Sequence, residues 1–132
     1  MKIKFKYVKI YFYLMLTTSI CITFFGNKNI SAYGQILLML TTFPVFAILG
    51  KISFNQFSDG IESKRPDLFT KYKMTFGVVR RINGLEIFNN SDFEKLDDME
   101  LVESLKLAKQ LFKLTIISFI LIIVHGISST LI

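Results

Sequence analysis

Three long stretches of the sequence lack acidic and basic side chains, and they constrain the fold more than any other feature. Two lie near the N-terminus, at 10–27 and 30–50, and the third, at 114–132, is uncharged apart from His125. Each is close to the roughly 20 residues that an α-helix needs to cross a bilayer core. The sequence therefore predicts an all-α membrane protein with three transmembrane helices, an N-terminal helical hairpin and a C-terminal span.

The charged residues are concentrated between the second and third apolar runs. Residues 51–113 hold eleven Lys and Arg residues and all ten acidic residues. Residues 1–9 carry four Lys, whereas Lys28 is the one cation between the first two runs. Because Lys and Arg beside membrane spans are retained in the cytoplasm, we expect 1–9 and 51–113 in the cytosol of a bacterium and the C-terminus outside its inner membrane.

An alternative interpretation of the N-terminus stays open. The basic start, the apolar centre and the small residues Ser31 and Ala32 also fit a secretory signal peptide, which would remove residues 1–32. Lys28 and the bulky Ile30 lie in the region where cleavage would occur, and both disfavour it. The retained helical hairpin is therefore the favoured interpretation.

The charged segment contains one clear short helix. Pro66 fits its first position and Asp67 lies near the positive end of its dipole. Its apolar face would consist of Leu68, Phe69 and Tyr72.

The following residues, 74–90, fit two structures. They predict either a β-hairpin that turns at Asn83-Gly84 or a helix that ends at this pair. We favour the helix, because an isolated two-stranded hairpin is only marginally stable.

A long helix is predicted from residue 97 to residue 132. The patterns Ser91-x-x-Glu94 and Asp97-x-x-Glu100 are typical of capping boxes, and no helix breaker follows them. One apolar stripe at helical spacing should pack against the short helix at 66–72. Its members are Leu101, Leu105, Ala108 and Phe112.

The three runs contain no Lys, Arg, Asp or Glu, and His125 is their one histidine. Such residues are costly in hydrocarbon and are candidates for function. A neutral His125 bonded to a neighbouring hydroxyl or carbonyl would link helices, and a proton-sensitive or ligand-binding role is the alternative. Cys21 is interpreted as a buried small apolar residue, and Pro44 as a kink within the second span.

Side chains for common catalytic chemistry are scarce. The chain has one His and one Cys, and it contains no Gly-rich phosphate loop, no metal-binding His and Cys spacing and no Ser-His-Asp set. We therefore expect no enzyme, no cofactor and no metal. The Lys cluster at the N-terminus indicates orientation and contact with anionic lipid rather than nucleic acid.

The layout from Lys64 to Val124 resembles that of small bacterial membrane proteins of the universal stress protein B type. The resemblance rests on a basic stretch with Pro66-Asp67-Leu68-Phe69, a middle segment with Arg80 and Arg81, and the run 96–112 before an Ile-rich terminal span. It implies a small inner-membrane protein linked to stress tolerance, with no chemistry to transfer. The chain differs from that family by having two N-terminal apolar runs.

We expect a small integral membrane protein that acts as a non-enzymatic interaction or regulatory component. Its expected partners are the lipid bilayer and another membrane or cytosolic protein, or a second copy. An immunity protein against a bacteriocin or toxin and an accessory subunit of a transporter or channel remain open alternatives. The residues with the strongest physical reason to contact a partner are Leu68, Phe69, Tyr72, Arg80, Arg81 and His125.

Overall fold

A computed structural model of the chain describes residues 5–89 and 91–131, so residues 1–4 of the predicted cytosolic N-terminus and Ile132 lie outside the described residues. The fold is mostly helical. Its elements are α1 (Phe5–Phe25), α2 (Lys28–Thr41), α3 (Phe43–Lys64), α4 (Pro66–Tyr72), β1 (Lys73–Phe76), β2 (Val79–Ile82), α5 (Glu86–Asn89), a 3₁₀ turn (Ser91–Phe93) and α6 (Met99–Leu131).

Within the part of the chain that the structure describes, three helical segments are long and apolar enough to cross a membrane, which confirms that part of the prediction. They are Lys6–Phe25, Lys28–Lys64 and Met99–Ser128. The second is interrupted at Thr42, two residues before Pro44. Proline has no amide proton to donate to the carbonyl four residues earlier, which explains an interruption here. The helix continues past Gly50 to Lys64, because no proline follows until Pro66.

The chain divides into two compact units, whose boundaries fall within α3 and α6. The apolar unit comprises Met1–Leu49 and Gln110–Ile132, and the charged unit comprises Gly50–Lys109. In the apolar unit, α1 and α2 form an antiparallel helical hairpin, and the Asn27 side chain caps α2 by accepting a hydrogen bond from the Ile30 amide. The ring of Phe46 packs against Tyr11 and Phe12 of α1.

The charged unit has its own hydrophobic core, to which its helices and its β-hairpin all contribute. Burying these side chains removes apolar surface from water, which is the main force that folds such a unit. The core consists of Phe57, Ile61, Leu68, Phe69, Ile82, Ile87, Phe93, Leu96, Leu101 and Leu105. The helix α4 starts at Pro66 as predicted, and its Leu68 and Phe69 share this core with Leu101 and Leu105 of α6.

Residues 73–82 form an antiparallel β-hairpin, so the favoured helical interpretation of 74–90 is wrong. The strands pair Phe76 with Val79, and the turn lies at Gly77-Val78 rather than at Asn83-Gly84. Gly77 has φ +58°, and a glycine at the first turn position is typical of a type II′ hairpin. This hairpin is not isolated, because the Ile82 amide donates to Ser58 Oγ of α3 at 3.0 Å.

The start of α6 differs from the predicted capping boxes. Asp98, rather than Asp97, accepts a hydrogen bond from the Leu101 amide at 3.1 Å, and the helix begins at Met99. The pattern at Ser91 yields only the 3₁₀ turn. The prediction of one unbroken helix is confirmed, since α6 continues to Leu131.

The predicted apolar stripe of α6 is correct at three of its four positions. Leu101, Leu105 and Ala108 are buried, whereas Phe112 is 49% exposed and its neighbour Leu111 is fully buried. Successive residues point about 100° apart around a helix of 3.6 residues per turn. The choice between positions 111 and 112 therefore depends on how the helix is rotated against its neighbours.

Candidate functional site

A hydrogen-bonded polar seam joins α1, α2 and α6 inside the apolar unit. Ser19 and Thr23 are four residues apart on α1, so they share one face of that helix. Ser19 Oγ donates to the Gly34 carbonyl of α2 at 2.6 Å. Thr23 Oγ1 lies 2.7 Å from His125 Nε2 of α6, and the ring of Phe24 meets the imidazole edge-on. We call these residues, Ser19, Thr23, Gly34 and His125, the polar seam.

Gly34 permits the close approach of α1 and α2 at the seam. A Cβ added at this position would lie 2.9 Å from the Ser19 carbonyl oxygen and closer still to the Thr23 hydroxyl. Any larger side chain would push the two helices apart. The absence of a side chain at Gly34 therefore makes the Ser19 hydrogen bond possible, in the way that small residues serve at membrane helix interfaces.

The contacts of Thr23 favour one tautomer of His125. Thr23 Oγ1 also donates to the Ser19 carbonyl at 2.9 Å, and a hydroxyl has only one proton to give. Both contacts are satisfied together if His125 Nε2 donates to Thr23. We assign the Nε2–H tautomer on this basis. His125 then donates to Thr23 Oγ1, and Thr23 Oγ1 donates to the Ser19 carbonyl.

Ser118 is a second polar residue of α6 inside the apolar unit. It is fully buried, and among the described residues its Oγ is the buried side-chain polar atom without a hydrogen-bond partner. Thr115 of the same helix donates to the Leu111 carbonyl.

Cys21 is exposed, so its interpretation as a buried residue is wrong. It lies two positions from both Ser19 and Thr23, which places it on the opposite side of α1.

The hydroxyl that contacts His125 could not be identified from the sequence. The spacing of Ser19 and Thr23 was visible in the sequence, yet nothing in it shows which hydroxyl of α1 faces α6.

The predicted interaction residues of α4 lie in different surroundings. Leu68 and Phe69 are buried in the core of the charged unit. Tyr72 is partly buried, and its hydroxyl donates to Asp92 at 2.6 Å, while Lys71 reaches the same carboxylate at 3.1 Å. The Tyr72 hydroxyl and the Lys71 ammonium lower the pKa of Asp92. A contact between these α4 residues and a partner stays a prediction.

The two predicted arginines lie on β2. Arg81 Nη1 donates to Asp59 of α3 at 2.8 Å, which fastens the hairpin to that helix, and Arg80 is exposed. Two further ion pairs lie at the N-terminus of α6, where the Lys64 ammonium contacts the carboxylates of Asp98 and Glu100, each at 3.0 Å. The Leu101 amide and the Lys64 ammonium lower the pKa of Asp98.

Within the described residues, no group of three or more His, Cys, Asp or Glu side chains is placed to hold a metal ion. Comparison of the chain with protein-family models, with curated proteins and with solved structures finds no match.

Proposed function

We propose that the chain is a multi-pass protein of the bacterial cytoplasmic membrane that acts as a non-enzymatic interaction or regulatory component. The proposal places residues 1–9 and the charged unit in the cytosol and the C-terminus outside. The resemblance of residues 64–124 to small stress-related membrane proteins extends the proposal to a role in stress tolerance.

The observation that carries the proposal is the contrast between the exposed surfaces of the two units. The long helices of the apolar unit expose many large apolar side chains, which in water would cost free energy roughly in proportion to their area. Hydrocarbon removes that cost, and a polar seam in the interior fits the usual packing of membrane helices. The exposed side chains include Ile10, Leu14, Phe24, Ile36, Leu40, Ile116, Ile120, Ile123 and Ile127.

The charged unit supplies the surface for an interaction. Its core is built from ten buried apolar residues, so it is a folded module rather than a linker. Its outer face carries acids and cations that are held in place by ion pairs such as Arg81 with Asp59. Exposed charges of both signs favour specific partners through electrostatic complementarity.

The proposal is tested by photo-crosslinking in native membranes, with an affinity tag ahead of Met1. A photoreactive residue at Thr70, which is exposed on α4, should give one adduct with an identified protein. The matched control is the same group at Ile116, an exposed position of α6 in the apolar unit, which should not capture that protein.

Two results would contradict the proposal. Release of the chain from membranes by alkaline carbonate would exclude an integral protein, and the absence of any protein adduct across the exposed positions of the charged unit would exclude an interaction component. A recovered chain that has lost its tag and about 30 residues would instead support the signal-peptide interpretation.

A further inference from the structure

The charges of the charged unit are unevenly distributed along its sequence. Residues 50–109 contain ten cations and ten acids, yet the hairpin at 73–82 contains three cations and no acid. The remainder of the unit is therefore net negative and the hairpin is its positive part. The three cations are Lys73, Arg80 and Arg81.

The turn of this hairpin carries an exposed apolar side chain. Val78 is 98% exposed, and Val79 and Met74 are also exposed. Lys73, Thr75, Gly77 and Arg80 are exposed as well, whereas Ile82, at the base, is buried in the core. The outer half of the hairpin therefore projects from the unit. A β-branched apolar residue at its turn has no role in the packing of the charged unit.

An apolar tip with Arg80 two residues from Val78 matches the chemistry of an anionic bilayer surface, whereas Lys73 lies further away, opposite Ile82 at the base. Apolar side chains enter the boundary between headgroups and acyl chains, and Lys and Arg beside them contact lipid phosphates. A protein partner is disfavoured by size, because a specific complex buries about 800 Å² on each side, far more than a two-residue turn presents. A bilayer requires no such area when the hairpin is held near it.

We propose that the tip of the 73–82 hairpin is a lipid-contact element, which inserts Val78 into the headgroup region of an anionic membrane and places Arg80 against lipid phosphates. This inference rests on the proposed function, since the charged unit is joined at both ends to segments that we propose to span the bilayer. The lipid surface is then the cytosolic leaflet of the same membrane.

The experiment uses the full chain with Cys21→Ser and Val78→Cys, labelled with an environment-sensitive fluorophore. The protein is reconstituted in liposomes with and without phosphatidylglycerol. In liposomes we expect the emission of the label at position 78 to shift to the blue, its quenching by aqueous iodide to fall several-fold, and nitroxide lipids to quench it. Each of these three changes should be larger with the anionic lipid than without it. The matched control, Thr70→Cys in the same background, labels an exposed position on α4 and should show none of these effects.

Charge reversal tests the contribution of Arg80. Arg80→Glu should weaken the dependence on anionic lipid, while the control Lys106→Glu makes the same change of net charge at an exposed position outside the hairpin and should preserve it. Equal protease resistance of all variants shows that the charged unit remains folded.

Unshifted emission from position 78 in anionic liposomes would overturn the inference. Protection of position 78 only in native membranes, together with a protein adduct there, would also overturn it in favour of a protein partner. Neither result affects the proposed function, because retention of the chain in carbonate-washed membranes is measured separately on the same samples.

Discussion

Leu105 provides the strongest test of whether the charged unit is a folded module. Its side chain is 5% exposed and belongs to the core that also contains Leu68 and Phe69. Truncating a buried leucine costs about 2–5 kcal/mol, and Leu105→Asp adds the cost of placing a carboxyl group among apolar side chains. A unit of about 60 residues has a total stability of roughly 3–9 kcal/mol. The substitution should therefore remove most of the stability of the unit.

The assay is digestion of reconstituted full-length protein by a protease of broad specificity. When opening is fast relative to cleavage, the rate follows the population of the open form, so a loss of about 2 kcal/mol accelerates cleavage within 50–109 roughly 30-fold. Lys106→Asp is the matched control, because it introduces the same residue at the next, exposed position of α6. Equal cleavage rates for the two variants would refute the argument that this stripe is packed in a core.

Three further predictions address the seam, the helix contact and the ion pairs. A double-mutant cycle of His125→Leu and Thr23→Val, measured by unfolding in detergent, should give a coupling energy of about 0.6–1.7 kcal/mol; additive effects would mean that the 2.7 Å contact contributes nothing. Gly34→Ala should lower the thermal stability of the apolar unit, because its Cβ would meet the Ser19 carbonyl, and an unchanged melting temperature would contradict this close approach. The pKa of Asp92 is lowered in the folded chain, so its ionised form contributes stability that is fully present above its unfolded pKa of about 3.9 and is lost as pH falls through the lower folded value. Asp92→Asn should therefore reduce the acid-induced rise in protease sensitivity. An identical acid profile would show that the bonds of Asp92 to Tyr72 and Lys71 are not stabilising.

The features that the sequence predicted correctly depend on local rules. Uncharged runs of sufficient length predict apolar helices regardless of their neighbours, and Pro66 fixes the start of α4 because its missing amide proton costs nothing there. The unbroken α6 follows in the same way from the absence of a breaker after Asp98. These rules concern one segment at a time, so no knowledge of the tertiary fold is needed.

The features that were missed depend on contacts between segments. The 73–82 hairpin is marginal alone and is held by Ser58 and Asp59 of α3, which its own residues do not reveal. The partner of His125 depends on the rotation of α1 and α6, and a rotation of α6 by one residue would bury Phe112 in place of Leu111. Helical periodicity identifies an apolar face but does not assign the neighbour that covers it.

The most direct test of the central claim, that the chain spans the membrane with its charged unit in the cytosol, is thiol labelling in intact cells. Single cysteines are introduced by Asn29→Cys, in the first turn of α2, and by Glu103→Cys, on α6 in the charged unit, each with Cys21→Ser; both positions are exposed. A membrane-impermeant maleimide should label position 29 in intact cells and position 103 only after permeabilisation. Labelling of position 103 in intact cells, or protection of position 29 there, would contradict the account.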